Sequence, residues 1–123
     1  MYESSKAVKP WREAVKWAAL EILRRCEPDV TWEPLTGPIR VDAVFRFPRP
    51  KSHYRTGKHA GELRADAPTF KSSKPDGEKL ERSTYDALTD AGVWRDDAQV
   101  VEVHWTKIYH DTPGAWLTIE ELT

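Results

Sequence analysis

Apolar and polar positions along the chain predict five elements, in the order helix, strand, helix, strand, strand. Between Pro10 and Cys26 the apolar residues recur at helical spacing, and Pro10 suits a first helical turn. The apolar stripe of this helix is formed by Trp11, Val15, Trp17, Ala18, Ala19, Leu20 and Ile22. So wide a face indicates the protein core or, as an alternative, contact with a second subunit. Residues 1–8 have no such period and are expected to be irregular, and residues 27–37 are expected to form a loop.

Regular alternation predicts a half-buried strand from Ile39 to Phe47. A second helix is predicted from about Pro75 to Ala91, with Gly92 as its C-terminal stop. Its apolar face is formed by Leu80, Thr84, Ala87 and Leu88. Two last strands, joined in a predicted hairpin, are Ala98 to Tyr109 and Ala115 to Leu122.

This order of elements indicates one α+β domain over residues 1–123, with helices packed on one face of a small mixed sheet. The net charge of −1 gives no overall sign of nucleic-acid binding, so a basic footprint has to be local. The single cysteine, Cys26, excludes an internal disulfide, fits a reducing cytoplasm and is expected to be a small buried apolar residue. Because there is neither a membrane-length apolar run nor a signal-peptide pattern, a soluble intracellular protein is expected.

The long segment from Arg49 to Lys74 has no regular period and is predicted to contact DNA. A loop of this length inside a small domain is usually functional or disordered. Basic side chains and backbone N–H groups in such a loop can bind phosphates, which gives an affinity that falls with salt. The residues expected to contact DNA are Arg49, Lys51, His53, Tyr54, Arg55, Lys58, Lys71 and Lys74. The alternative is a solvated basic loop without a specific partner.

Carboxylates lie at both ends of the second predicted helix. Asp76 and Glu78 stand at its start, and Asp97 follows the turn at Gly92. Magnesium prefers hard oxygen ligands and can stabilise the attacking and leaving oxygens in phosphodiester cleavage, so these three acids are predicted metal ligands if the chain folds back. Arg82, at i+4 from Glu78, could bind the same phosphate. The alternatives are carboxylates favoured by the helix dipole, an ordinary i, i+4 pair on a solvated face, and turn residues.

Three segments of this region together resemble the RusA family of Holliday-junction resolvases, many of which are phage-encoded endodeoxyribonucleases. The segments are Asp76-Gly77-Glu78, Tyr85-Asp86-Ala87-Leu88-Thr89 and Trp94-Arg95-Asp96-Asp97-Ala98-Gln99-Val100-Val101. The family pattern is an acidic pair D-x-D, a helix carrying an F/L/Y-D-A-L-T segment, and D-D-A-Q-V-V leading into a strand. The loop from Pro48 to Lys58 is also similar to phage members, and the resemblance covers about residues 38–122.

The resemblance implies that Asp76, Glu78 and Asp97 bind Mg²⁺, with Mn²⁺ as the alternative ion, and that Arg82 occupies the catalytic basic position. The chain departs from the family pattern at three of these places. Glu78 stands for the usual Asp, Gly77 for an apolar residue, and Arg82 for a lysine, so Arg82 is expected to stabilise charge instead of donating a proton. The expected fold is RusA-like without the N-terminal strand with which family members usually begin.

The resulting prediction is a magnesium-dependent, structure-selective endodeoxyribonuclease that nicks branched DNA, in particular four-way Holliday junctions, symmetrically as a homodimer. It would act in DNA recombination and repair, without a small-molecule cofactor or a membrane partner, in the cytoplasm of a bacterial cell or phage-infected host. Two alternatives remain open. One is a non-catalytic DNA- or protein-binding module with a degenerate metal site, and the other is a less selective nuclease that trims flaps or forks.

Overall fold

The computed structural model describes residues 2–26 and 32–123, and only the backbone of residues 2–10, 25 and 26. Its helices and strands are α1 (Tyr2–Cys26), β1 (Ile39–Phe47), α2 (Gly77–Asp90), β2 (Val100–Tyr109) and β3 (Gly114–Glu121). Single 3₁₀ turns occupy Lys51–His53, Gly57–His59 and Asp97–Gln99. Neither α1 nor α2 combines the length and the apolar character that a membrane-spanning helix needs. Helices and a small mixed sheet confirm the predicted α+β class.

Strand β1 is the middle strand of a three-stranded sheet with the order β2-β1-β3. It pairs in parallel with β2 (Val41 opposite Val103) and antiparallel with β3 (Val41 opposite Ile119). The predicted hairpin of β2 and β3 is therefore wrong. The chain leaves β2 past the end of β1, where the His110 N–H donates to the Phe47 carbonyl oxygen at 2.9 Å. The physical reason is that β1 is buried beneath the helices, so its backbone N–H and C=O groups need strand partners at both edges.

The core lies between this face of β1 and the two helices. Ile39, Val41, Ala43 and Phe45 on β1 are all at most 4% exposed. Val15 of α1 and Leu88 of α2 belong to the same apolar cluster as Val41. All three described strands and both helices thus share one core, with the helices on a single face of the sheet as predicted.

The opposite face of the sheet is polar and is held together around Arg40. Its guanidinium lies 3.6 Å from Asp42 on the same strand, 3.7 Å from Glu102 on β2 and 2.7 Å from Glu120 on β3. Because a slip of one residue would move this arginine to the apolar face, the cluster favours the observed register of both strand pairs. One arginine therefore joins three strands on the open face.

Helix α1 differs from its prediction at its start and in its face. It begins at Tyr2, so that Pro10 is not in the first turn, and residues 2–8 are helical where an irregular segment was predicted. Val15 is buried, but Trp17 is 61% exposed and Ile22 is 57% exposed. The predicted stripe is thus wider than the face that contacts the core. The expected burial of Cys26 and the predicted loop at residues 27–31 lie outside the described side chains and residues.

The Y-D-A-L-T segment of α2 connects this helix with its neighbours. Ala87 and Leu88 are buried in the core, and Thr89 Oγ1 accepts a 2.6 Å hydrogen bond from the indole Nε1 of Trp94. Asp86 of the same segment forms an ion pair with Arg12 of α1 at 3.7 Å. This segment is therefore a packing motif that fixes α2 between α1 and the chain leading to β2.

Candidate active site at the N-terminus of helix α2

The acidic pair Asp76 and Glu78 lies at the N-terminus of α2. Asp76 is the N-cap residue, yet its carboxylate accepts no hydrogen bond from the first turn of the helix. Glu78 lies in that first turn. Both side chains are exposed and have neither a hydrogen bond nor an ion pair in the described part of the chain. The helix dipole favours negative charge here, so two free carboxylates are available to a ligand at the positive end of α2.

Gly77, between the two acids, lies directly against the indole ring of Trp105 on β2. A Cβ at this position would overlap Cη2, Cζ2 and Cζ3 of that ring. Gly77 itself is buried although both neighbours are exposed. Its departure from the apolar residue of the family pattern thus has a physical reason. The helix starts so close to β2 that there is no room for a side chain.

Lys107, two residues further along β2, binds the chain just before the acidic pair. Its Nζ donates to the carbonyl oxygens of Ser73 and Pro75, both at 2.8 Å. Burial lowers the pKa of Lys107, and the nearby charge of Lys71 lowers it further, whereas Asp76 acts in the opposite direction. Lys71 Nζ itself donates to Ser73 Oγ at 2.9 Å. Two lysines therefore converge on the segment that leads into Asp76.

Arg82 is exposed on α2, one helical turn beyond Glu78, without a hydrogen bond or ion pair among the described residues. Residues four apart on a helix lie on the same side, so Arg82 and Glu78 share one face as predicted. The guanidinium is thus free to contact an anionic ligand held by the acidic pair.

The adjacent acids Asp96 and Asp97 have different environments. Asp96 forms a capping box with Gln99 around the 3₁₀ turn Asp97–Gln99. The side-chain amide of Gln99 also donates to the carbonyl oxygens of Leu35 and Gly37, at 2.8 and 3.0 Å. Asp97 is exposed and has no such bond in the described part of the chain. The D-D-A-Q segment therefore builds a rigid turn that leaves only its second carboxylate free.

Asp97 does not lie beside Asp76 and Glu78 within one chain. Asp97 lies just before the start of β2 at Val100. The chain that leads into Asp76 is bound by Lys107, which lies seven residues further along β2. Seven residues of a strand span about 23 Å. Within residues 2–26 and 32–123, no three His, Cys, Asp or Glu side chains are arranged to hold a metal ion. The structure thus brings together Asp76, Glu78 and Arg82, whereas the charge of Asp97 acts on Tyr85, further along α2.

Two further groups near the acidic pair were missed from the sequence. Glu81 accepts a 2.8 Å hydrogen bond from the Tyr85 hydroxyl. Burial raises the pKa of Tyr85, with further contributions from Glu81 and from the charge of Asp97. Glu81 is recognisable in retrospect from its i+3 spacing to Glu78. Lys107 is recognisable in the same way, as a charged residue at an inward-facing position of β2, opposite Phe45.

The basic loop after β1 is ordered, and part of its predicted DNA-binding set has a structural role. Arg49 donates to the Pro68 carbonyl oxygen at 2.8 Å and lies 5.5 Å from the ring centre of Tyr109. His53 packs edge-on against the same ring at 4.6 Å. Lys71 lies 5.5 Å from the ring centres of Phe47 and Tyr109. These contacts fix the loop to the ends of β1 and β2.

Three lysines of the predicted DNA-binding set have no side-chain partner in the described part of the chain. Tyr54 pairs with Leu63 in a short antiparallel bridge, and Arg55 forms an ion pair with Glu62 at 3.4 Å. Of the predicted DNA contacts, Lys51, Lys58 and Lys74 are exposed and have no side-chain partner in the described part of the chain. Free cations bind phosphate without first breaking an internal ion pair, so these lysines are the best placed of the set.

The donor set at α2 fits a magnesium ion in part. Mg²⁺ is commonly bound by one or two carboxylates, with waters and substrate phosphate completing the octahedron. Asp76 and Glu78 provide two unpartnered carboxylates of this kind. A third carboxylate from the same chain is not at hand, since Asp97 lies elsewhere.

Comparisons with known proteins agree with this arrangement of motifs. The chain matches the family described as Endodeoxyribonuclease RusA over residues 1–120. It is also 31% identical over 91 residues to the protein described as "Uncharacterized protein YqaN" of Bacillus subtilis (strain 168), an alignment that covers 72% of this chain. The chain spans 61% of that relative's length. Because the family match extends over nearly the whole sequence, the chain belongs to the RusA family of endodeoxyribonucleases.

Proposed function

We propose that the protein is a magnesium-dependent endodeoxyribonuclease that nicks branched DNA, in particular four-way junctions, symmetrically as a homodimer. The observation that carries the proposal is the pair of unpartnered carboxylates, Asp76 and Glu78, beside the free guanidinium of Arg82 at the start of α2. Membership of an endodeoxyribonuclease family supports phosphodiester cleavage as the chemistry of these groups. As a DNA-acting enzyme it would work in the cytoplasm of a bacterial cell or phage-infected host, in recombination and repair.

In this proposal Asp76 and Glu78 hold Mg²⁺, or Mn²⁺ in its place. When bound, the ion supplies charge neutralisation at the scissile phosphate and a water of lowered pKa. The two carboxylates bind the ion and orient it towards the phosphate, and their exposure leaves the site open to a DNA backbone. Glu78 has one methylene more than Asp, and the close contact of Gly77 with Trp105 holds the start of α2 against β2.

Arg82 stabilises the negative charge that develops on the phosphate as the bond breaks. A guanidinium remains protonated at all working pH values, so it binds and stabilises but does not donate a proton to the leaving oxygen. The leaving oxygen must then take its proton from water or from another group of the protein. This division of roles follows from the residue type at this position.

The homodimer gives Asp97 a place in the proposed site. Within one chain Asp76 and Glu78 stand at the start of α2, whereas the charge of Asp97 acts on Tyr85, two turns beyond Glu78. If two copies pair with their α2 helices antiparallel about a two-fold axis, Asp97 of one copy can approach the acidic pair of the other. A two-fold protein with two such sites also suits symmetric nicking of a four-way junction.

A nicking assay on a synthetic four-way junction, with and without Mg²⁺, tests the proposal. Paired nicks that require the ion and are lost in the Asp76→Asn variant are the expected result. Binding without cleavage would replace the nuclease by a non-catalytic DNA-binding module. Equal cleavage of flaps, forks and junctions in the same gel would replace it by a less selective nuclease.

A further inference from the structure

We propose that strand β2 positions the acidic pair through two side chains, Trp105 and Lys107, which makes these the positioning residues of the candidate active site. This inference rests on the proposed function and names how the site is held. Neither residue belongs to the segments that resemble the family pattern. Both face the same side of β2, opposite Ala43 and Phe45 of β1.

Trp105 provides the surface against which α2 begins. The centre of its ring lies 6.5 Å from that of Phe45, which is 1% exposed. The ring centre of Trp11 lies 5.8 Å from that of Phe45 on another side. The indole therefore rests on an aromatic core that has no freedom to retreat. Its outer edge touches the backbone of Gly77, where any Cβ would overlap the ring. The distance between β2 and the start of α2 is thus set by this contact.

Lys107 holds the chain on the other side of Asp76. Its two hydrogen bonds to the carbonyl oxygens of Ser73 and Pro75 fix the backbone immediately before the helix. Charge-assisted hydrogen bonds of this kind are stronger and shorter than neutral ones. They orient a segment that has neither helical nor strand hydrogen bonds of its own.

Together the two side chains fix the residues on both sides of Asp76. Pro75 is bound by Lys107 and Gly77 lies against Trp105, while the Asp76 carboxylate makes no capping bond that would orient it. The direction of the acidic pair therefore depends on β2 and not on the helix cap. Loss of either contact would let the pair rotate while the remainder of α2, which is packed on α1, stays folded.

The test is a double-mutant cycle with Gly77→Ala and Trp105→Leu. Gly77→Ala is expected to weaken Mn²⁺ binding by about tenfold or more, measured by calorimetry without DNA, because disturbing groups that orient metal ligands has effects of this size. It should lower kcat for junction nicking while KM changes little. Trp105→Leu makes room for the added methyl group, so the double variant should bind Mn²⁺ more tightly than Gly77→Ala alone.

A second arm avoids any variant that fails to fold. Lys107→Met should weaken Mn²⁺ binding, and Lys107→Arg, which retains donors for the two carbonyl oxygens, should restore most of it. Leu88→Ala is the matched control. It removes volume from the shared core away from the acidic pair, so the temperature of thermal unfolding should fall while the Mn²⁺ affinity of the folded protein stays unchanged.

Unchanged Mn²⁺ affinity in both Gly77→Ala and Lys107→Met, in a wild-type protein that binds the ion and nicks junctions, would overturn the positioning role alone. Absence of recovery in the double variant would also overturn the role of Trp105. A wild-type protein that neither binds Mn²⁺ nor nicks junctions would overturn the proposed function and this inference together.

Discussion

Asp96 accepts a hydrogen bond from the Ala98 backbone N–H at 2.9 Å, whereas the adjacent Asp97 makes neither a hydrogen bond nor an ion pair with any described residue. The N–H of Asp96 is in turn bound by the side chain of Gln99 at 2.9 Å. The Asp96 carboxylate is therefore engaged in the turn, whereas the Asp97 carboxylate is available to a ligand. The two acids are consequently expected to respond differently to substitution.

Asp96→Ala should lower the free energy of unfolding by about 1 kcal/mol, because a capping side chain is lost, while the folded protein still nicks junctions. Asp97→Asn should leave the free energy of unfolding nearly unchanged and abolish nicking. Urea unfolding and a junction gel on both variants measure the two effects. An Asp97→Asn protein that cleaves at the wild-type rate would remove Asp97 from the site.

Asp76→Asn should lower the nicking rate by about 10²-fold or more. Junction binding should be kept or improved, because a negative charge that faces phosphate is removed. Asp90→Asn is the matched control, because Asp90 is also exposed on α2 but lies at its C-terminal end. The nicking rate and the affinity for the junction are measured for both. Equal losses in the two variants would mean that the acidic N-terminus has no special role.

Mixtures of the inactive Asp76→Asn and Asp97→Asn proteins should recover nicking if each site combines carboxylates from two subunits. In a mixed dimer of this kind, one of the two sites then contains both native acids. If all ligands come from one chain, no mixed dimer has an intact site, and the mixture stays inactive. The measurement is the rate of first nicking after the two variants have been mixed and allowed to exchange subunits.

Replacing Lys51, Lys58 and Lys74 together by alanine should weaken junction binding and flatten its salt dependence. Each lost phosphate contact lowers the slope of log K against log salt concentration by about 0.9 on duplex DNA. As a control, Lys16→Ala and Arg24→Ala together remove two positive charges from α1 and should leave the slope unchanged. A triple variant with the wild-type slope would show that the loop does not touch DNA.

Stability should fall at alkaline pH through Tyr85. Its pKa is raised above the ordinary 10.0 in the folded chain, by burial first and then by Glu81 and Asp97. The unfolded chain therefore loses this proton first, so the contribution of Tyr85 is complete below about pH 10 and declines as the pH rises further. Above about pH 10 the free energy of unfolding of the wild type should decline more steeply than that of Tyr85→Phe. Parallel curves for the two proteins would contradict the shift.

Much of the local structure was predictable from residue patterns. Strand β1 has the predicted bounds, Ile39–Phe47, and α2 lies within the predicted range, because both have a strong period and clear end signals. The acidic pair and Arg82 also follow from short-range spacing, and the family was recognised from the resemblance of three short segments. Helix α1 was less well predicted, since Pro10 imitates a helix start that in fact lies at Tyr2.

The sequence by itself thus determined where β1 and α2 lie, which of their faces are apolar and where the acidic pair stands, because these depend on neighbours a few residues apart. Only the tertiary structure decided that β1 separates β2 from β3, that Asp97 lies away from Asp76, and that Lys107 and Gly77–Trp105 hold the start of α2. These relationships join residues far apart in the chain. They depend on how the apolar face of β1 is covered, and no local period encodes that.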